Sequence, residues 1–198
     1  MTTPGPEHPL PAADWEGQGY RLGATLGEHH ALVVLGADRD ATALVALGIA
    51  RAQASRHRVA LGDLLGDAPP LQRLVSGEDP HGLVDSFLYG VSINRIAHRV
   101  PESGDLFVLP SGTEPPDYEE MLASPRWRRL ASGFREEQAL LVLAVPADAP
   151  HVADLVASTD GAIVVGDAGE PPVPADRVIA TVSPAAAVAA AEPAAEAT

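Results

Sequence analysis

Ala31-Leu32-Val33-Val34-Leu35, followed at once by Gly36-Ala37-Asp38-Arg39-Asp40-Ala41-Thr42, is the stretch on which the fold turns. An unbroken apolar run of this length is too short for a buried helix. It lacks the polar alternation of a half-exposed strand, so it reads as a strand buried on both faces. The turn leads directly into Thr42 to Ser55, rich in Ala and Leu at helical spacing. A doubly buried strand followed by an amphipathic helix is the opening of a βαβ unit.

The alternation continues outward from there. Val59 to Leu61 is a second short apolar run, after the basic turn Arg56-His57-Arg58. Pro80 to Ile96 reads as a crossover containing a helix, Leu106 to Leu109 as a third strand, and Tyr118 to Gly133 as one helix. Ala139 to Val145 is a fourth strand, His151 to Ser158 a short helix, and Ala162 to Val165 and Val178 to Val182 the last two strands. The pattern predicts an α/β fold: a mostly parallel sheet of about six strands, flanked by helices and joined by right-handed crossovers. Ligands in such sheets sit beyond the carboxyl ends of the strands, which directs attention to the loops after Leu35, Leu61 and Val145.

Three segments follow. Residues 1–28 read as a loosely ordered arm with a short strand or turn around Trp15 to Leu22. Residues 29–183 form the α/β domain. Residues 184–198 are a low-complexity Ala/Pro/Glu tail, with a fraying helix around Ala185 to Ala191. The formal net charge of −14 argues against a nucleic-acid groove or an anionic lipid surface, both of which need clustered cations. Cysteine is absent, so there is no disulfide framework, thiolate metal site or thiol nucleophile. The chain also contains no lysine; all 13 basic residues are arginine. The N-terminus shows no signal-peptide pattern and no run approaches the roughly 20 apolar residues of a membrane span, so the expectation is a cytoplasmic protein without direct membrane insertion.

Several segments recur in a telling order: Pro69-Pro70-Leu71-Gln72-Arg73-Leu74 after the second strand, Gly82 to Gly90, and Val108 to Arg126 (VLPSGTEPPDYEEMLASPR). They are followed by the strand ending Val145-Pro146 and by Asp160-Gly161-Ala162-Ile163-Val164-Val165. From about Ala31 to Val182, this order and spacing resemble the P-loop ATPase domain of the bacterial tyrosine kinases that control capsule and exopolysaccharide export. Those kinases belong to the wider group of septum-positioning and plasmid-partitioning ATPases. The resemblance implies a P-loop NTPase-like three-layer sandwich.

Against that family's motif the sequence departs at the points where chemistry is done. Gly36 to Thr42 occupies the place of the phosphate-binding G-x-x-x-x-G-K-[ST] loop. Residue-by-residue matching puts Asp40 at the lysine, Arg39 at the preceding glycine, and Ala41 at the hydroxyl position that helps to hold Mg²⁺; Thr42 matches the end of the motif. Asp38 and Asp40 would bring two carboxylates toward a triphosphate, and like charges about 4 Å apart repel by roughly 4 kcal/mol at an effective dielectric of about 20. The residue-level alternative for this loop is a helix cap by Asp38 or Asp40. After the second strand Asp63 survives from the family's acidic site and reads as a solvated turn residue. Leu65 stands where the next acid would be, and Ala144 where the metal-holding aspartate of the later strand would be. The three tyrosines, Tyr20, Tyr89 and Tyr118, form no C-terminal cluster of the kind these kinases phosphorylate. The short Pro-rich stretch between Asp167 and Arg177 implies a trimmed crossover.

The resulting expectation is a non-catalytic regulatory or scaffold protein, with Gly36, Asp38, Arg39, Asp40, Thr42 and Asp63 as a vestigial nucleotide loop and no cofactor or metal. By resemblance its partner would be a membrane-anchored polysaccharide export component or a catalytic paralogue; a homodimer stays open. A nucleotide-binding switch that uses Arg39 in place of the lysine is the alternative. Arg126, Arg128 and Arg129 around Trp127 are the best partner surface, with the solvated face of a helix as the plainer reading. His29-His30 read as a surface pair, because adjacent residues on a strand point apart. Ser111-Gly112 reads as a turn without the G-x-S-x-G context of a nucleophile.

Overall fold

The computed structural model describes residues 14–77, 79–166 and 172–183. Its centre is a seven-stranded sheet. In chain order the strands are β1 (Ala31–Gly36), β2 (Val59–Asp63), β3 (His98–Arg99), β4 (Leu106–Leu109), β5 (Leu140–Pro146), β6 (Gly161–Val165) and β7 (Val178–Val182). They lie in the order β3-β4-β2-β5-β1-β6-β7. All pairings are parallel except the edge pair, where His98–Arg99 runs antiparallel to β4. That two-residue strand is the one the apolar pattern does not reveal; His98 and Arg99 carry no run of hydrophobic residues. Every residue of β1, β2, β5 and β6 is buried, as continuous apolar runs require of strands covered on both faces.

The helices are α1 (Trp15–Thr25), α2 (Arg39–Gln53), α3 (Pro69–Gln72), α4 (Leu83–Tyr89), α5 (Ile93–Ile96), α6 (Tyr118–Leu122), α7 (Arg126–Glu136) and α8 (Val152–Ala157). Alternate residues of β1 separate two cores. Leu32 and Val34 face α2 and α3 through Ala46, Ile49, Ala50 and Leu71. Val33 and Leu35 face α4 to α8 through Leu83, Ile96, Met121, Trp127 and Leu155. The result is a three-layer α/β sandwich. Among the described residues no helix is long and apolar enough to cross a membrane.

Two expectations need correcting. Trp15 to Leu22 is neither strand nor turn: it lies in α1, which packs along α2. Asp14 caps it by accepting from Gly17 N at 2.9 Å. The segment's glycines obscure the helix in sequence but allow the packing. A Cβ on Gly19 would lie 2.2 Å from the Val45 carbonyl oxygen, and one on Gly48 of α2 would lie 2.1 Å from that of Glu16. The helices therefore meet backbone to backbone. Gln53 donates to the Gly23 carbonyl at 2.6 Å and Arg51 pairs with Glu16. Tertiary packing, not intrinsic propensity, stabilises such a helix. The stretch Tyr118 to Gly133 is two helices, not one. It breaks at Ala123 to Pro125, because proline disfavours the helical region for the residue before it and has no N–H to continue the ladder.

Of the Pro-rich stretch from Asp167 to Arg177, the described part holds only a 3-10 turn at Ala175–Arg177. Residues 1–13, 78, 167–171 and 184–198, and with them the tail and the first 13 residues of the N-terminal arm, lie outside the described residues.

Candidate functional site

The turn after β1 is tight. The strand runs to Gly36 and α2 begins at Arg39, so only Ala37 and Asp38 connect them. Asp38 is extended (φ −86°, ψ 114°) and is the N-cap of α2; its carboxylate accepts from Ala41 N at 3.0 Å. That bond satisfies a first-turn N–H that has no partner within the helix. Asp40, exposed in the same turn, sits where the helix dipole favours a negative charge. Thr42 is fully buried, and its hydroxyl donates back to the Asp38 carbonyl at 2.6 Å. Gly36 is required by close approach: a Cβ there would stand 2.5 Å from Thr42 Oγ1 and 2.8 Å from the Val165 carbonyl oxygen. Arg39 reaches sideways and donates to the Leu65 carbonyl at 2.7 Å, tying the turn after β1 to the turn after β2.

Asp63 is not a solvated turn residue. It is the last residue of β2 and has no solvent-exposed surface. Its two oxygens accept from Leu65 N at 2.8 Å and Ala68 N at 3.0 Å, so the carboxylate shapes the following turn. Burial pushes its pKa up to about 6; the two N–H bonds and the charge of Arg39 act in the opposite direction without cancelling it. The neighbouring strand places Ala144 in register with Asp63, and Leu65 points into the core beneath α2 and α3. At this corner, therefore, Asp63 has Ala144 beside it in the sheet, and the nearby charge of Asp67 adds to the burial that opposes its ionisation.

Beside these turns, over the ends of β2 and β4, lies an open cleft of about 290 Å³. Its walls include Arg39, Gly66, Ser111, Thr113, Glu114 and Tyr118. Tyr118 donates to the Leu64 carbonyl at 2.7 Å, and its burial raises the phenol pKa. The loop after β4 is anchored by Asp85, buried in α4, whose carboxylate accepts from Gly82 N, Thr113 N and the Thr113 hydroxyl. Burial opposes ionisation of Asp85, but those bonds outweigh it and hold the pKa below the usual carboxylate range. Ser111, the turn residue of the sequence reading, is buried with no partner for its hydroxyl among the described residues. The rule that directs attention to the loops after Leu35 and Leu61 applies equally to this one, after Leu109.

The arginines of α7 lie on the other helical layer, away from this corner. Trp127 is buried and donates from Nε1 to the Met121 carbonyl at 2.7 Å; its ring centroid is 4.4 Å from that of Phe87. Arg126 donates to the Phe87 carbonyl at 2.9 Å and sits over the Phe87 ring at 4.8 Å. Arg128 and Arg129 are exposed. The four residues therefore do not form one surface: Trp127 belongs to the core, Arg126 lies over Phe87, and Arg128 and Arg129 are exposed. His30 Nδ1 lies 3.2 Å from the Ala139 carbonyl and His29 Nδ1 lies 3.3 Å from that of Gly27, so both rings face backbone oxygens. Among the described residues no group of three or more His, Cys, Asp or Glu is placed to hold a metal.

No family model matches the chain, and no curated protein matches it. Solved structures do. The VpsO kinase domain superposes with a TM-score of 0.61 at 19% identity, covering 75% of this chain and 75% of that one. The BceF tyrosine kinase domain gives 0.57 at 19% identity, covering 84% and 72%. The kinase domain of the Escherichia coli tyrosine kinase ETK gives 0.58 at 20% identity, covering 73% of this chain and 58% of that one. The chain shares the P-loop NTPase-like α/β fold of these tyrosine kinase domains.

Proposed function

We propose that this protein is a pseudo-ATPase: a non-catalytic regulatory or scaffold protein, connected through its resemblance to the capsule and exopolysaccharide kinases with envelope polysaccharide synthesis or export. The observation that carries the reading is the Asp38 cap. A phosphate cradle works by converging several backbone N–H groups on an anion that a cation neutralises. Here the Ala41 N–H is occupied by the chain's own carboxylate at 3.0 Å, and two residues span the gap between strand and helix. No lysine exists to stand in the loop. Mg²⁺ bound with a nucleotide would supply charge neutralisation, but Ala144 and Leu65 place apolar groups beside Asp63 where oxygen ligands would be needed. The residues present do not fit that group.

A second reading has one observation in its favour. Arg39 lines the open cleft of about 290 Å³ beside the turn, from where its guanidinium could be offered to a nucleotide phosphate. A thermal-shift titration with ATP, ADP and Mg²⁺ separates the two. A ligand at about 100 times its Kd stabilises a fold by about 2.7 kcal/mol, several degrees in Tm for a domain of this size. The pseudo-ATPase reading expects no shift. A clear shift that disappears in Arg39→Ala would replace it with the nucleotide-switch reading.

A further inference from the structure

His151 closes the turn between β5 and α8. Its backbone is left-handed (φ 60°, ψ 16°), a region that residues with a side chain rarely enter. Its carbonyl accepts from Asp154 N at 3.0 Å and Leu155 N at 3.1 Å, which fixes the residue at the start of α8. The ring stands between two carboxylates. Nδ1 lies 2.8 Å from Asp154 Oδ2, within α8, and Nε2 lies 3.1 Å from Glu119 Oε2, on α6. The other acids on these segments, Asp117, Glu120 and Asp148, make no ion pair with the ring.

An ionised carboxylate only accepts hydrogen bonds, and a neutral imidazole has a single N–H. Both contacts are therefore hydrogen bonds only when the ring is an imidazolium. A neutral ring must turn a lone pair toward one of the two carboxylates. The two are not equivalent: Asp154 is three residues away on the same helix and makes the shorter contact, whereas Glu119 is carried by a separate element and makes the longer one. The proton given up is the one that faces Glu119. That bond matters for what it joins. Tyr118, the residue before Glu119, donates to the Leu64 carbonyl and lines the cleft over the ends of β2 and β4. The five-residue α6 is thus held to the turn after β2 by one side chain and to α8 by the next.

We propose that His151 is a protonation-dependent clasp: charged, it ties α6, one wall of the cleft, to α8; neutral, it keeps Asp154 and releases Glu119. The hydrogen bond to Asp154, with that to Glu119 behind it, raises the His151 pKa above its ordinary 6.5 against a smaller opposing cost of desolvation. The link is therefore complete below about pH 6.5 and is lost as pH rises through the raised value. No residue of the turn after β1 takes part, so the clasp stands or falls separately from the reading of the nucleotide loop.

Asp63 titrates near pH 6 and adjoins Leu64, so the test reads His151 itself, by the nitrogen-15 shifts of its ring across a pH titration of the full chain. The midpoint should lie above 6.5, and the neutral ring should carry its proton on Nδ1. Glu119→Gln should lower the midpoint. Glu120→Gln, the same change of charge one residue further along the exposed side of α6, should leave it in place. Protection of the α6 amides from hydrogen exchange should fall about two- to fivefold as pH rises through the wild-type midpoint, the range of an exposed ion pair, and should stay level in Glu119→Gln. The proposal is overturned by a midpoint that Glu119→Gln does not move, by equal lowering in both variants, by a neutral ring protonated at Nε2, or by level protection in the wild type. A fall in protection that persists in Glu119→Gln overturns it too, and assigns the effect to Asp63.

Discussion

Asp38 and Asp63 stand at corresponding places, one just past the end of β1 and the other at the end of β2, and both accept backbone N–H groups of the turn that follows. One is exposed and the other has no surface at all. Asp38 caps a long helix at the positive end of its dipole, with water at hand to solvate its charge. Asp63 makes one more hydrogen bond, yet its pKa is pushed up to about 6, because two N–H donors do not replace the hydration it has lost. The same chemical group thus fixes two adjacent turns at very different electrostatic cost, and burial, not the number of bonds, sets the difference.

The comparison can be broken most forcefully by Asp63→Ala. Below pH 5, where Asp63 is largely neutral, the variant strands the N–H groups of Leu65 and Ala68 in a buried corner. A loss of about 2–4 kcal/mol in chemical denaturation is expected; a loss no larger than that of Asp38→Ala would mean that burial does not distinguish the two sites.

The pH profile follows in size. Since the folded pKa of Asp63, about 6, lies above its ordinary value of 3.8, the folded state holds the proton more tightly than the unfolded chain. This contribution to stability is fully present below about pH 4 and is lost as pH rises through about 6. Its full size is about 3 kcal/mol, at about 1.4 kcal/mol per pKa unit. Asp63→Asn should flatten that part of the wild-type profile, whereas Asp38→Ala should leave it in place. Unfolding titrations between pH 4 and 7 read both.

Smaller effects sharpen the other side of the comparison. Asp38→Ala removes one exposed cap and should cost about 1 kcal/mol, with Asp38→Asn recovering most of it. Arg39→Ala removes the link from the first turn to the Leu65 carbonyl. Because the side chain is exposed, the loss should stay below about 1 kcal/mol. A much larger loss, seen in thermal melts, would mean that the two turns act as one unit.

How far these features can be read in the chain depends on what each residue touches. Ala31 to Leu35 and Leu140 to Val145 announce buried parallel strands because a strand covered on both faces has no polar residues to interrupt it. An aspartate cap on α2 is legible for a similar reason, although the sequence leaves Asp38 and Asp40 both open and the structure selects Asp38. The helix α1 is not. Gly17, Gly19 and Gly23 argue locally for a turn, and only the contact with Gly48 shows that they are spaced for close helix packing. Pro125 divides α6 from α7, but helical periodicity on either side of it makes the stretch read as one helix. Asp63 was legible as a surviving acid but not as a buried one, and the cleft walled by Ser111, Thr113 and Tyr118 joins residues that no local pattern connects to Arg39.

By itself, then, the sequence determined the alternation of buried strands and helices, the absence of lysine from the loop after β1, and the choice of Asp38 or Asp40 as a cap on the helix that follows. These depend on composition and on contacts within a few residues. Only the tertiary structure decided that Asp63 is dry and that a glycine-rich segment becomes a helix against α2. Burial, close backbone approach and the pairing of charges all depend on which distant residues the fold brings together.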